Sequence, residues 1–299
     1  MCEEVGVRIV YQARFEGIVK EDDEGVVFLI NGREHKTSLL IGADGIFSTV
    51  RRYLAPSIQP EYTGVIGAMA HIRTSSVKWP YPDYEPQFTM QGKAGVFITM
   101  PEDPFADEIM VAVQTSRPES TRDEWERLNA NKERICEEFF RRNYGLWHET
   151  GKQIIDQVCA AKESIFLWPF LKMPKLERWY SQLGKVILIG DAAHAVPPSS
   201  GQGVNQALED VYSLTLVLTQ RLLGQKALAA LERWQKMRQA RIDAVYDWTA
   251  NSNNVQRMPE DEKKTLIAEG KIKDPGTSGD DMRWLYQYDI DEAIKEIIA

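Results

Sequence analysis

The chain has 299 residues, with 36 Lys+Arg against 44 Asp+Glu and a formal net charge of −8. That length carries a buried core in one or two domains, and 43% hydrophobic with 27% charged residues excludes a wholly disordered chain. The acidic balance argues against a nucleic-acid partner, and no run of ~18 apolar residues marks a transmembrane helix.

The first elements read as strands. Val7, Ile9, Tyr11, Ala13 and Phe15 alternate with polar residues, the period of a half-buried strand. Gly25–Ile30 is a second strand, closed by Asn31-Gly32, a two-residue hairpin signal. Leu39–Gly42 is apolar without alternation, as in a strand buried on both faces, and a short helix at Phe47–Leu54 is stopped by Pro56. Between 62 and 117, GVIGAMAHI, AGVFITM and DEIMVAVQTS are strand-like, while Trp79–Pro86 is a loop rich in aromatics and proline. Thr121, with Glu124 three residues on, opens a helix reaching Asn143; a shorter one covers Lys152–Cys159 before the strand-like ESIFLW. Lys185–Gly190 is the second candidate for a strand buried on both faces. The helix after it shows an apolar stripe of Val204, Ala207, Leu208, Val211, Leu214, Leu218 and Leu222. A further helix spans about Ala227–Ala250, and its basic run Arg233–Arg241 reads as a solvated face. Residues 258–281 read as a polar linker, and the aromatic tail after it is rich enough to dock on the body.

Cys2, Cys136 and Cys159 form no CxxC pair, and His35, His71, His148 and His194 are scattered, so no zinc site or disulfide framework is read. A reducing, cytoplasmic setting is the expectation. MCEEVGVRIV has neither the basic region nor the apolar core of a signal peptide. Without a GxSxG elbow or a Walker loop, serine-hydrolase and P-loop readings lose their footing.

The chemistry gathers in two strand–loop–helix blocks. In Gly190–Val211 (GDAAHAVPPSSGQGVNQALEDV), Asp191 ends a buried strand, where open α/β folds place ligand-binding groups and a carboxylate can accept hydrogen bonds from hydroxyls. Ala192 and Ala193 leave room for a large ligand, Pro197-Pro198 directs the loop, and Gly201 and Gly203 allow close backbone approach. The helix from Val204 then offers free N–H groups to an anion or polarised carbonyl. An isolated Asp or GxG would mean no more than a capped connection; a block of this length and composition is more specific. In Leu39–Leu54, Asp44-Gly45 follows the same grammar, with Ser48 and Arg51 on the next helical turn. His194 invites a general-base role but reads as packing or bonding to loop carbonyls. Tyr81–Phe88, Phe97 and Trp168 are candidates for an aromatic pocket.

Together the two blocks resemble the flavin-dependent aromatic hydroxylases, single-component FAD monooxygenases that include salicylate and para-hydroxybenzoate hydroxylase, and most of all their fungal members. The resemblance runs roughly from Val5 to Ala250. It implies an α/β (α+β) fold: an incomplete Rossmann-like FAD-binding domain in two parts (1–60 and 176–250), an inserted mixed β-sheet substrate domain (61–175), carboxyl-terminal helices, and a linker and aromatic tail (251–299). It implies FAD as cofactor and NAD(P)H as co-substrate. Asp191 would meet the ribityl chain; Gly201, Gly203, Val204 and Asn205 would line the loop and helix start at the pyrimidine end of the flavin; Asp44 would serve FAD ribose or NAD(P)H. Arg51 is left between a pyridine-nucleotide contact and pairing with a carboxylate, and no catalytic side chain is named.

The implied activity is hydroxylation or epoxidation of an aromatic, polyketide-like or terpenoid-like small molecule in secondary metabolism. The family's usual GxGxxG turn is missing from the sequence, which is short by about one βαβ unit. The alternatives are therefore a second chain completing the FAD site, a non-catalytic remnant that binds a small molecule or partner, and a flavin reductase or oxidase on the same fold.

Overall fold

In the computed structural model, residues 4–92, 95–257, 260–271 and 283–298 are described. The chain divides into two compact units, one formed by 1–61 with 171–299 and the other by Tyr62–Phe170. Cys2 and much of the expected linker, 258–259 and 272–281, lie outside the described residues.

In the first unit, β1 (Phe15–Asp22), β2 (Gly25–Ile30) and β3 (Arg33–Thr37) form an antiparallel meander. Asn31 and Gly32 both adopt positive φ, at 50° and 72°, and pair Ile30 with Arg33 across a two-residue loop. This is the turn that Asn-Gly favours, because its twist matches that of the strands. The strand expected over Val7–Phe15 begins only at Phe15: residues 7–10 have no regular structure, and Val7, Ile9 and Tyr11 are exposed. Alternation there has no neighbouring strand to pair with among the described residues.

β4 (Leu40–Gly42) lies parallel to β10 (Val186–Leu188), with Leu188 opposite Gly42. β10 is buried throughout, as its apolar run implies, and is bridged on its other side by Tyr180. β4 departs from expectation, because Ile41 is 41% exposed at the sheet edge. α1 (Thr49–Leu54) follows β4, and short α5 (Asp191–His194) follows β10. Then come α6 (Gly203–Thr219), the long α7 (Gln225–Arg257), α8 (Glu260–Ala268), α9 (Arg283–Tyr286) and α10 (Ile290–Ile298). α8 places helix inside the expected linker, and α10 packs on α6 and α7, so the tail docks. The core joins β10 to Trp179, Leu214, Val217, Trp234, Ile242, Ile294 and Ile297. Trp179 and Trp234 are fully buried and meet edge to face at 5.7 Å, an arrangement worth about 1 kcal/mol beyond area burial.

The second unit is a five-stranded sheet in the order β6-β7-β8-β5-β9, made of β5 (Glu61–Arg73), β6 (Phe88–Gly92), β7 (Gly95–Pro101), β8 (Glu108–Ser116) and β9 (Phe166–Lys172). One face carries Ile66, Ala68, Phe97, Val111 and Val113, which pack with apolar side chains of α2 (Arg122–Ala130), α3 (Lys132–Ile135) and α4 (Glu149–Ala160). Thr121 and Glu124 form the expected capping box. The helix they open does not run unbroken to Asn143. Asn131, at φ −94° and ψ 78°, ends α2 and caps α3 with its own side chain, and a π turn follows over Cys136–Phe140. The opposite sheet face holds Val65, Met69, Ile98, Met110, Ala112, Phe166 and Phe170.

Candidate flavin site

The parallel pairing of β4 with β10 brings both motif blocks out at the same end of the strands. Asp44 lies two residues beyond Gly42 and Asp191 three beyond Leu188, two residues that face each other in the register. Gly42 permits this closeness, because a Cβ there would lie 2.7 Å from Val50 Cβ of α1. Gly190 turns the chain with φ 58° and ψ −144°, a conformation that side chains resist.

Asp44 is exposed, yet its carboxylate is committed to local structure. It accepts from the Ser48 hydroxyl at 2.5 Å and from the Thr49 and Val50 backbone N–H groups at 2.7 and 3.1 Å. Ser48 in turn accepts from Arg51 N–H at 2.8 Å, so the two residues share the capping of α1. Arg51 itself is 2% exposed. Its guanidinium pairs with no carboxylate at hydrogen-bond distance among the described residues and donates instead to the backbone carbonyls of Ala192 at 3.1 Å and Ile46 at 2.5 Å, stitching the first block to the second. Burial lowers the Arg51 pKa from its ordinary value, and the Asp44 charge opposes that shift.

Asp191 opens α5 with an exposed side chain, over protein packed densely enough beneath it that burial raises its carboxyl pKa. It looks toward the start of α6: a Cβ added to Gly203 would lie 4.0 Å from Asp191 Oδ1. No side chain caps α6, whose first backbone N–H groups belong to Gly203, Val204 and Asn205. Gly201 at φ 62°, Val204 and Asn205 are exposed, and Gly203 is half-buried. A carboxylate able to accept from hydroxyls therefore stands beside an uncapped 17-residue helix terminus that favours negative charge.

His194 is buried and does not bond loop carbonyls. Its Nε2 meets Asp210 Oδ2 at 2.5 Å, and its ring lies 4.8 Å from that of Trp179. Asp210 and its partners were not singled out by the sequence. Arg238 Nε donates to Asp210 Oδ1 at 2.8 Å; the same guanidinium reaches Glu209 at 2.5 Å and the Gln206 side chain at 2.8 Å, and Arg241 donates to Glu209 at 3.0 Å. Arg238 and Arg241 are 0% and 5% exposed, so the basic run on α7 is not a solvated face at these positions. Their signal was spacing: Trp234, Arg238, Ile242 and Val245 recur at helical intervals on one buried face.

The apolar stripe on α6 is also corrected. Gln206, Asp210, Ser213, Leu214 and Val217 face inward, whereas Val204, Leu208 and Val211 are 75%, 61% and 48% exposed. Four charged side chains, with Gln206, satisfied one another at the α6–α7 contact and so took the buried side. In the second unit, Phe97 and Trp168 do not share a pocket: Phe97 belongs to the helix-covered sheet face, while Trp168 meets Phe170 of the other face at 6.4 Å. Trp79 stacks on Tyr84 with rings 5.2 Å apart, and Tyr81 and Phe88 meet Tyr84 edge to face.

Residues 171–249, which contain the second block, match the family model described as FAD binding domain. The chain is 25% identical over 259 residues to hispidin-3-hydroxylase of Neonothopanus nambi, covering 80% of this chain and 57% of that protein. Among solved structures, CtdE in complex with FAD and a substrate superposes with a TM-score of 0.75 at 16% identity, covering 99% of this chain and 71% of that one. A salicylate hydroxylase substrate complex gives 0.73 at 21%, with 99% and 73% covered. The fold is that of the FAD-dependent hydroxylases. The chain is similar in sequence to hispidin-3-hydroxylase, and it spans less than three-fifths of that protein's length.

Proposed function

We propose that this chain forms the flavin- and substrate-binding part of an FAD-dependent monooxygenase acting on an aromatic or related planar small molecule, with NAD(P)H as reductant and dioxygen as oxidant. The observation that carries the reading is the approach of Asp191 to the uncapped start of α6 within the stretch matching the FAD-binding domain. Asp191 would accept hydrogen bonds from the ribityl hydroxyls, and the N–H groups of Gly203, Val204 and Asn205 would face the pyrimidine end of the flavin. Bound FAD supplies hydride acceptance and oxygen activation. Asp191 and the α6 start would position it, and the helix N-terminus would favour negative charge at that end of the site. The residues fit such a group: the open backbone at Gly201 and Gly203 admits a large planar ligand, and Arg51 holds the two blocks in one arrangement.

The half-buried Ile98, Met110 and Phe166 on one face of the second unit's sheet support an apolar aromatic substrate, since such side chains meet planar rings through dispersion and sulfur contacts. The exposed apolar side of α6 and the open edge of β4 support a further α/β segment, from a longer form of this chain or from a second chain, that pairs with β4 and completes the nucleotide site. A cytoplasmic setting and a role in secondary metabolism complete the proposal. Among the described residues no helix is long and apolar enough to cross a membrane.

The experiment is an FAD titration of the purified chain followed by flavin fluorescence, then NAD(P)H and oxygen consumption with candidate phenols. Saturable binding that Asp191→Ala weakens at least tenfold, roughly one charge-assisted hydrogen bond, supports the reading. A folded, colourless protein that takes up no FAD favours the non-catalytic remnant. Reduction without incorporation of oxygen into product favours a reductase or oxidase.

A further inference from the structure

Asp210 has no exposed surface, yet it sits where two parts of the site meet. Its Oδ2 accepts from the Gly190 backbone N–H at 2.8 Å and faces His194 Nε2 at 2.5 Å, while its Oδ1 accepts from Arg238 Nε at 2.8 Å. Gly190 immediately precedes Asp191 and His194 closes the same short helix, so one carboxylate grips both ends of the turn that carries Asp191. Asp210 lies on α6, seven residues or about two turns beyond Gly203.

We propose that Asp210 is the positioning residue of the flavin site: it locks the Asp191 turn to the helix whose free N–H groups form the other half of that site. The inference rests on the flavin reading for its consequence, though not for its geometry. An aspartate is required because three donors converge on two oxygens. An asparagine offers a single acceptor oxygen and would turn its NH2 toward one of those donors. Burial alone would push the carboxyl up, but His194 and Arg238 hold it below the ordinary carboxylate range, so it remains an acceptor at neutral pH. Arg238 is itself fixed by Glu209 and Gln206, which makes the grip rigid. The inward turn of this polar face of α6, in place of the apolar stripe, has its function here.

The test compares the full chain with Asp210→Asn, Asp191→Ala and the double variant, by backbone hydrogen exchange without flavin and by FAD titration. Asp210→Asn is expected to raise exchange over residues 188–196 at least about tenfold, the scale of one lost charged hydrogen bond, while α7 stays protected. It is expected to weaken FAD by a similar factor, and to add nothing in the Asp191→Ala background, because it acts through Asp191. Unchanged exchange over 188–196, or a full additive loss in the double variant, overturns the proposal. Should Asp210→Asn fail to fold, His194→Phe removes one of the three donors and His194→Gln restores an N–H. Loosening of the turn by Phe and recovery with Gln support the proposal, and no difference between them overturns it. If the unaltered chain takes up no FAD while Asp210→Asn still loosens the turn, the flavin reading fails and the positioning role stands.

Discussion

Gly190 and Gly203 stand on either side of Asp191, and alanine at each should fail in a different way. Gly190 has φ 58° and ψ −144°, and an added Cβ would lie 3.2 Å from the Ala207 Cβ. Backbone strain of that kind costs about 2 kcal/mol, and crowding against α6 adds about 1 kcal/mol. A total of about 3 kcal/mol lowers the midpoint of the transition that unfolds this unit by roughly 6–12 °C for a unit of this size. At Gly203 the added Cβ meets nothing nearer than Asp191 Oδ1 at 4.0 Å, and alanine is the better helix former. Gly203→Ala should therefore keep or slightly raise the midpoint while weakening FAD, because the methyl group projects onto the surface the flavin would occupy. The assay pairs thermal unfolding by circular dichroism with flavin fluorescence titration. If Gly190→Ala unfolds within about 0.5 kcal/mol of the parent, the ordinary range for a surface change, the strain argument is wrong.

Two further outcomes follow from buried polar groups. The Asp210 carboxyl sits below its ordinary value of 3.8 when folded, so its contribution to stability is present above about pH 4 and lost as pH falls through the folded value. Urea unfolding from pH 7 to pH 3 should show that acid loss in the parent and a shallower one in Asp210→Asn; equal slopes would remove Asp210 from the acid limb. Tyr246 is driven the other way, its hydroxyl pushed up to about 12 by burial and left without a hydrogen-bond partner among the described residues. Tyr246→Phe should be neutral or stabilising by up to about 1 kcal/mol, and a clear loss in chemical denaturation would show that the hydroxyl has a partner after all.

Much of this molecule is local and therefore legible from the chain alone. The Asn31-Gly32 hairpin, the Thr121–Glu124 capping box, the buried β10 run and the GD and DG blocks each depend on residues only a few positions apart. Short-range sterics and hydrogen bonding determine them wherever they occur. The tertiary structure decided what depends on partners distant in sequence. Residues 7–10 alternate like a strand but form no regular structure, and Val7, Ile9 and Tyr11 stay exposed. Asp44 and Asp191 leave the sheet at the same end only because β4 and β10 pair in parallel across more than a hundred residues of chain.

The decisive case is α6. Its apolar stripe satisfies every periodicity rule, yet Val204, Leu208 and Val211 face outward and Asp210 faces in. A helical pattern states which residues share a face, but not which face is covered. That was settled by Arg238 and Arg241, about thirty residues away on α7, whose buried charges are met by the carboxylates of Glu209 and Asp210. Composition and charge bounded the chain and its motifs pointed to flavin chemistry. The bond network that fixes the Asp191 turn, from Asp210 to Arg238 on α7, came from tertiary pairing that no local pattern encodes.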